Sequence, residues 1–133
     1  MRTKLTLAVI LSMAVTLPLL SHHSHGNYED GFTDIAGVVT EIHLVVPHSW
    51  VYIEVADPAG GEAQFWALEA TGRAGLERIG VTREYMKVGD TVTVRCHRLR
   101  DGSNGCLLGF LKGPDGSVKD WDGGRDTEVP TDL

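Results

Sequence analysis

Positive charge is scarce in this chain: its 133 residues carry 12 Lys and Arg against 18 Asp and Glu, a formal net charge of −6. An acidic chain of this size repels phosphate backbones, which argues against nucleic acid as a partner. Long apolar runs are limited to one, Leu5 to Leu20, and no basic amphipathic stretch follows it, so nothing after that run suits a membrane. No glycine-rich phosphate loop is present, and no serine, cysteine or lysine stands in a recognisable nucleophile context. The sequence therefore argues against an enzyme. Cysteine is down to two residues, Cys96 and Cys106.

What the chain does have begins at its N-terminus. A basic stub, Met1-Arg2-Thr3-Lys4, precedes the apolar run, and Ser21-His22-His23-Ser24-His25 follows it. Basic start, apolar middle and small residue at the cut are the pattern of a secretory signal peptide over residues 1–21. The run of about 16 residues is shorter than the ~20 that a spanning helix needs, which disfavours an uncleaved anchor. Leu19 at the −3 position is less usual than alanine, so the cut is fixed only to within a residue or two. Cleavage after Ser21 leaves 112 residues, removes Arg2 and Lys4, and takes the net charge to −8. The expected location is the bacterial periplasm or the exterior.

Residues 22–32 then form a His-rich leader. A terminal His22 offers a metal its free amine and its ring Nδ1, and His23 or His25 adds a third nitrogen. Imidazole suits copper and zinc, both of which an exported protein meets. The sharpest candidate is a copper site of His22, His23 or His25, and His48, with His43 a few residues away able to join. Against it stands a polar leader with no metal, a turn role for His48, and plain strand positions for His43 and His97.

Period-2 alternation starts near Thr33. It puts Ala36, Val38, Thr40, Ile42 and Leu44 on one face and Val39, Glu41 and His43 on the other. Val46-Pro47-His48-Ser49 breaks the run, and a second strand over Trp50–Ala56 turns Val51, Ile53 and Val55 one way and Trp50, Tyr52 and Glu54 the other. A third strand is expected over Ala63–Glu69, then a short helix over Arg73–Ile79 closed by Gly80. Thr91–Leu99 gives a fourth strand with Val92, Val94 and Cys96 on one face. Cys106–Lys112 gives a fifth, with Cys106, Leu108 and Phe110 sharing a face. Residues 119–133 are Gly- and Asp-rich and read as an acidic flexible tail.

Arg100-Asp101-Gly102-Ser103-Asn104-Gly105 is turn chemistry between the last two strands, so Cys96 and Cys106 lie on the arms of a hairpin. In an oxidising compartment that predicts a disulfide. A Cys96–His97 metal pair is the rival, but adjacent strand residues point to opposite faces.

Three strands, a helix and two strands over residues 33–118 is the element order of an OB-like five-stranded barrel, an all-β fold with one short helix between strands 3 and 4. On its outer face Trp50, Tyr52 and Phe65 gather near Glu41, Glu54 and Glu69. Such a face suits a carbohydrate or an exported protein partner. The carboxylates lie on an open sheet, which disfavours an acid–base pair.

Several motifs together resemble a known family: His22-His23-Ser24, Gly37-Val38-Val39-Thr40-Glu41, Pro47-His48-Ser49-Trp50, Trp66-Ala67-Leu68-Glu69, Gly89-Asp90-Thr91-Val92-Thr93-Val94, and Asp101-Gly102-Ser103 with Gly105. Their order and spacing resemble the bacterial exported proteins grouped as DUF6152, over His22 to Gly116. Members typically start the mature chain with His-His-Ser and carry an Asn-Pro-His element. Here Val46 stands in place of that Asn, and Val81 in place of a Trp after glycine. The resemblance implies export and a small β-domain, and it brings no catalytic residues.

Overall fold

A computed structural model describes residues 25–133. Residues 1–21, read above as a signal peptide, lie outside the described residues, as do His22 and His23. His25 opens a single 3₁₀ turn, His25–Asn27.

Six strands follow: β1 Thr33–His43, β2 His48–Val55, β3 Gln64–Thr71, β4 Thr91–Arg98, β5 Gly105–Lys112 and β6 Val118–Asp120. They run in the order β3-β2-β1-β4-β5-β6, and a parallel β3–β5 pairing closes the first five into a barrel. Closure removes the open edges that a meander of this length would expose. The mixed five-stranded barrel with one short helix is the expected OB-like architecture.

The helix, α1, spans Arg73–Arg78. Gly80 ends it at φ +82°, its N–H bonding to the Glu77 carbonyl while Val81 N–H reaches the Leu76 carbonyl. This pair of bonds is the Schellman arrangement, and it needs the left-handed residue that glycine supplies. Leu76 is fully buried and packs with the barrel residues Val51, Ile53, Leu68, Val92, Val94, Leu108 and Leu111.

In β3 Trp66 and Leu68 point inward, and strands β2 and β4 show the expected faces, with Val51, Ile53, Val92, Val94 and Cys96 inside. Strands β1 and β5 do not. In β1 the register steps from Val39↔Ile53 to Glu41↔Tyr52, leaving Thr40 as an extra residue whose hydroxyl bonds to the Tyr52 carbonyl at 3.2 Å. Before this bulge Val39 faces the core while Ala36 and Val38 face solvent. After it, Ile42 and Leu44 turn inward as expected. In β5 the register steps from Cys96↔Leu108 to Arg95↔Phe110, making Gly109 the extra residue. Leu111, rather than Phe110, therefore joins Cys106 and Leu108 inside. A bulge shifts the two-residue period by one, so every side chain beyond it changes face. A Cβ on Gly109 would come within 2.8 Å of the Phe32 ring, which lies over the bulge.

Cys96 and Cys106 form a disulfide with a Cα–Cα separation of 5.7 Å. They are diagonal neighbours rather than directly opposed, since Cys96 pairs with Leu108 and Cys106 with Arg98. Both sulfurs lie within the core.

The stretch after residue 118 differs from the flexible tail read from its composition. Strand β6 adds to β5, and Trp121 is fully buried beneath Tyr85, with ring centroids 6.3 Å apart. Further on, Asp132 reaches Arg95, whose guanidinium is held by both Asp34 oxygens at 2.7 Å and by Asp132 at 3.0 Å. Bonding to Arg95 holds the Asp34 and Asp132 carboxyls below their ordinary range. Carboxylates lowered in this way add stability above the unfolded-state pKa of about 3.9 and lose it as pH falls through their own lower values. Arg95→Gln is therefore expected to lower the melting temperature slightly at pH 7 and to leave it unchanged near pH 2. An equal loss at both pH values in thermal melts would contradict this.

Candidate functional site

The outer face of β1, β2 and β3 carries most of the chemistry-bearing side chains. The register puts His43, Trp50 and Glu69 in one row across the three strands, with His48↔Thr71 two pairs further along β2 and β3. The loop before His48 is held firmly. Arg73 N–H bonds to the Val45 carbonyl at 2.9 Å, and buried Ser49 bonds to the same carbonyl at 3.3 Å. A Cβ on Gly72 would meet the Pro47 carbonyl at 2.6 Å, so the loop packs directly on the start of α1. The Val46–Pro47 peptide in it is cis.

His48 and Glu69 form a close pair, with Nδ1 2.9 Å from Oε1. The other carboxylate oxygen, Oε2, accepts the hydroxyl of Tyr28. Glu69 is largely shielded, its side chain only 14% exposed against 38% for His48. Tyr28 is itself buried, and its backbone bridges to Leu99 at the end of β4. Burial first, then the hydrogen bond and charge of Glu69, push the Tyr28 phenol well above its ordinary pKa, so it remains a donor throughout the neutral range. Tyr28 lies three residues after His25, and the leader is thereby rooted beside His48.

The sequence marks Glu69 only as a carboxylate near the outer aromatics, and it does not single out Tyr28. The alternation of β2 and β3 does place Glu69 on the outer face. Tyr28 gives no local signal, because its role arises from a contact 41 residues along the chain.

His43 takes a different environment. Its Nε2 lies 2.8 Å from Glu41 and its ring packs edge-on to Tyr52 at 5.7 Å. It lines a cleft of about 370 Å³ with Ile42, Leu44, Val45, Arg83 and Met86. Trp50 stands between it and Glu69 in the row, so His43 is separate from the His48 pair. His97 bonds through Nδ1 to the Gly31 carbonyl at 3.2 Å and packs on Phe32.

The aromatic group occupies the same sheet. Trp50 and Tyr52 are half-buried and stacked, with centroids 6.4 Å apart. Phe65, 64% exposed, sits on β3 opposite Glu54.

Among the described residues no three His, Cys, Asp or Glu side chains come together as a metal-holding group. Among the described residues, too, no helix is long and apolar enough to cross a membrane.

A family model described as a family of unknown function, DUF6152, matches residues 9–108. No curated protein matches the chain. Two solved structures of the mitochondrial single-stranded DNA-binding protein Rim1 from S. cerevisiae are similar to it, one from selenomethionine-labelled protein. Each is 11% identical and covers 65% of this chain and 93% of its own, with TM-scores of 0.49 and 0.47.

Proposed function

The chain belongs to the DUF6152 family, whose function is unknown, and we propose from its own residues that it is an exported copper-binding protein. In this reading the mature chain begins at His22. The terminal amine and ring of that residue, His23 or His25, and His48 bind Cu(II). The observation that carries the reading is the Tyr28–Glu69–His48 contact, which fastens the leader at the histidine the barrel contributes. Six residues separate Tyr28 from His22, and an extended chain reaches roughly 20 Å over that length. Copper has the strongest preference for nitrogen donors among the first-row divalent ions. A terminal amine and imidazole chelate without a scaffold, so the barrel's contribution is measured by how far affinity depends on His48.

Intact mass of the exported protein is expected to show loss of about 21 residues. Cu(II) titration is then expected to give tighter binding in the mature protein than in His48→Ala or in a variant with one alanine added before His22. Binding should weaken in acid, where protons compete with Cu(II) for the ligand nitrogens. Unchanged affinity in the alanine-extended variant overturns the terminal-histidine site. A silent His48→Ala reduces the site to a leader chelate with no folded function.

A second reading rests on exposed Phe65, on the same sheet as the stacked Trp50 and Tyr52: a module whose outer aromatic face takes a carbohydrate or a basic exported protein. Phe65→Ala separates the two readings, because it leaves copper affinity untouched and removes ligand binding at that face.

A further inference from the structure

We propose that the cleft beside His43 is a separate binding site, one for a small monocarboxylate with an apolar body, and that Arg83 is its anchor. The cleft shares no residue with the copper site proposed above. Its volume of about 370 Å³ lies within the range of small-molecule sites. Four of its six lining side chains are apolar, Ile42, Leu44, Val45 and Met86, and His43 and Arg83 complete it.

The apolar walls are fixed before any ligand arrives. Met86 is buried in the core, and Ile42 and Leu44 pack against that core. The Val45 carbonyl is held by the Arg73 N–H and the Ser49 hydroxyl, which sets the loop at this edge. The His43 ring is held by Glu41 at Nε2 and by its edge contact with Tyr52. Walls of this kind lower the ordering cost of binding. Val45 itself is 47% exposed, so apolar surface remains for a ligand to cover.

Arg83 provides the polar end. It lies in a turn closed by the Tyr85 N–H on the Thr82 carbonyl at 3.1 Å. A second cleft of about 290 Å³ adjoins the first across Leu44 and Arg83, and Glu77 and Glu84 line it. Both of those carboxylates bond elsewhere. Glu77 pairs with Arg73 at 3.1 Å, and Glu84 accepts the Thr82 hydroxyl at 2.6 Å. Arg73, Arg95 and Arg100 each hold a carboxylate, whereas Arg83 forms no ion pair among the described residues. That is unexpected in a chain with 18 acidic and 12 basic residues. A planar guanidinium without a carboxylate, set at an apolar cleft, matches the two ends of an amphipathic acid. One cation with two carboxylates in the adjoining cleft disfavours a dianion such as a phosphate monoester, which leaves the monocarboxylate.

The test is a titration of the full mature protein with 4-phenylbutyrate, followed through the methyl resonances of Ile42, Leu44, Val45 and Met86. Saturable shifts are expected at these residues. The amine with the same body, 4-phenylbutylamine, should bind roughly 10-fold or more weakly. Arg83→Gln, at an exposed position, should lower phenylbutyrate affinity roughly 10–100-fold and erase the preference for acid over amine. Arg83→Lys should recover part of the affinity, since the charge returns without the fork. Val45→Ser should weaken both probes alike, because it removes apolar contact and no charge. Arg125→Gln, in a different cleft, should change nothing, which excludes a general effect of net charge. Thermal melts establish that each variant is folded. Equal affinity for acid and amine in the wild type, or full affinity in folded Arg83→Gln, overturns the site. So does the absence of saturable shifts at the four methyl-bearing residues.

Discussion

Trp121→Ala is expected to destabilise the fold by about 3–5 kcal/mol, the largest single-residue effect foreseen here. Trp121 is fully buried, and no other tryptophan in the chain is as completely enclosed. Its ring meets Tyr85, and its backbone joins two elements: its N–H bonds to the Gly109 carbonyl at 2.8 Å and its carbonyl accepts the Thr71 N–H at 3.2 Å. Removing the indole leaves a cavity at the point where β3, the β5 bulge and the segment after β6 meet. A Trp121→Phe variant keeps part of the volume and should lose distinctly less. Urea unfolding of the two variants at pH 7 measures both losses. A midpoint for Trp121→Ala equal to that of the wild type would mean that the segment from residue 118 onward contributes nothing to the core.

Loss of the Cys96–Cys106 bridge should cost ~2–3 kcal/mol, the value expected for closing a loop of about ten residues in the unfolded chain. The sulfurs are inward-facing neighbours of Leu108 and Leu68 in the barrel register, so the bridge also fills core volume. Cys96→Ala/Cys106→Ala should therefore lose more than reduction alone, because truncation adds a cavity to the lost cross-link. Denatured protein without reductant should show no thiol available for labelling. Free thiols there, or a urea midpoint that does not move on reduction, would contradict a stabilising bridge.

The proposed copper site was legible in part. His48 is visible as a histidine beside a proline at a break in alternation, and the clustered leader histidines speak for themselves. Glu69 and Tyr28 are invisible as a pair, because a shared hydrogen bond over 41 residues leaves no pattern in a single sequence. His43 looks equivalent to His48 by proximity along the chain. Strand pairing separates them, since Trp50 takes the place between His43 and Glu69.

The sequence by itself determined the number and order of the barrel strands, the helix and its glycine stop, and the cysteine pair on a hairpin. These follow from local rules: alternation of period two, turn chemistry at Asp101-Gly102, and the left-handed need at Gly80. Tertiary structure alone decided three things. It placed extra residues at Thr40 and Gly109, because a bulge is a property of two paired strands and not of one. It drew Trp121 out of an acidic, glycine-rich stretch into the core, because burying one indole outweighs the polar character of its neighbours. It brought Tyr28, Glu69 and His48 together, because closing the barrel sets distant segments side by side and a shielded carboxylate requires donors from whichever of them arrive.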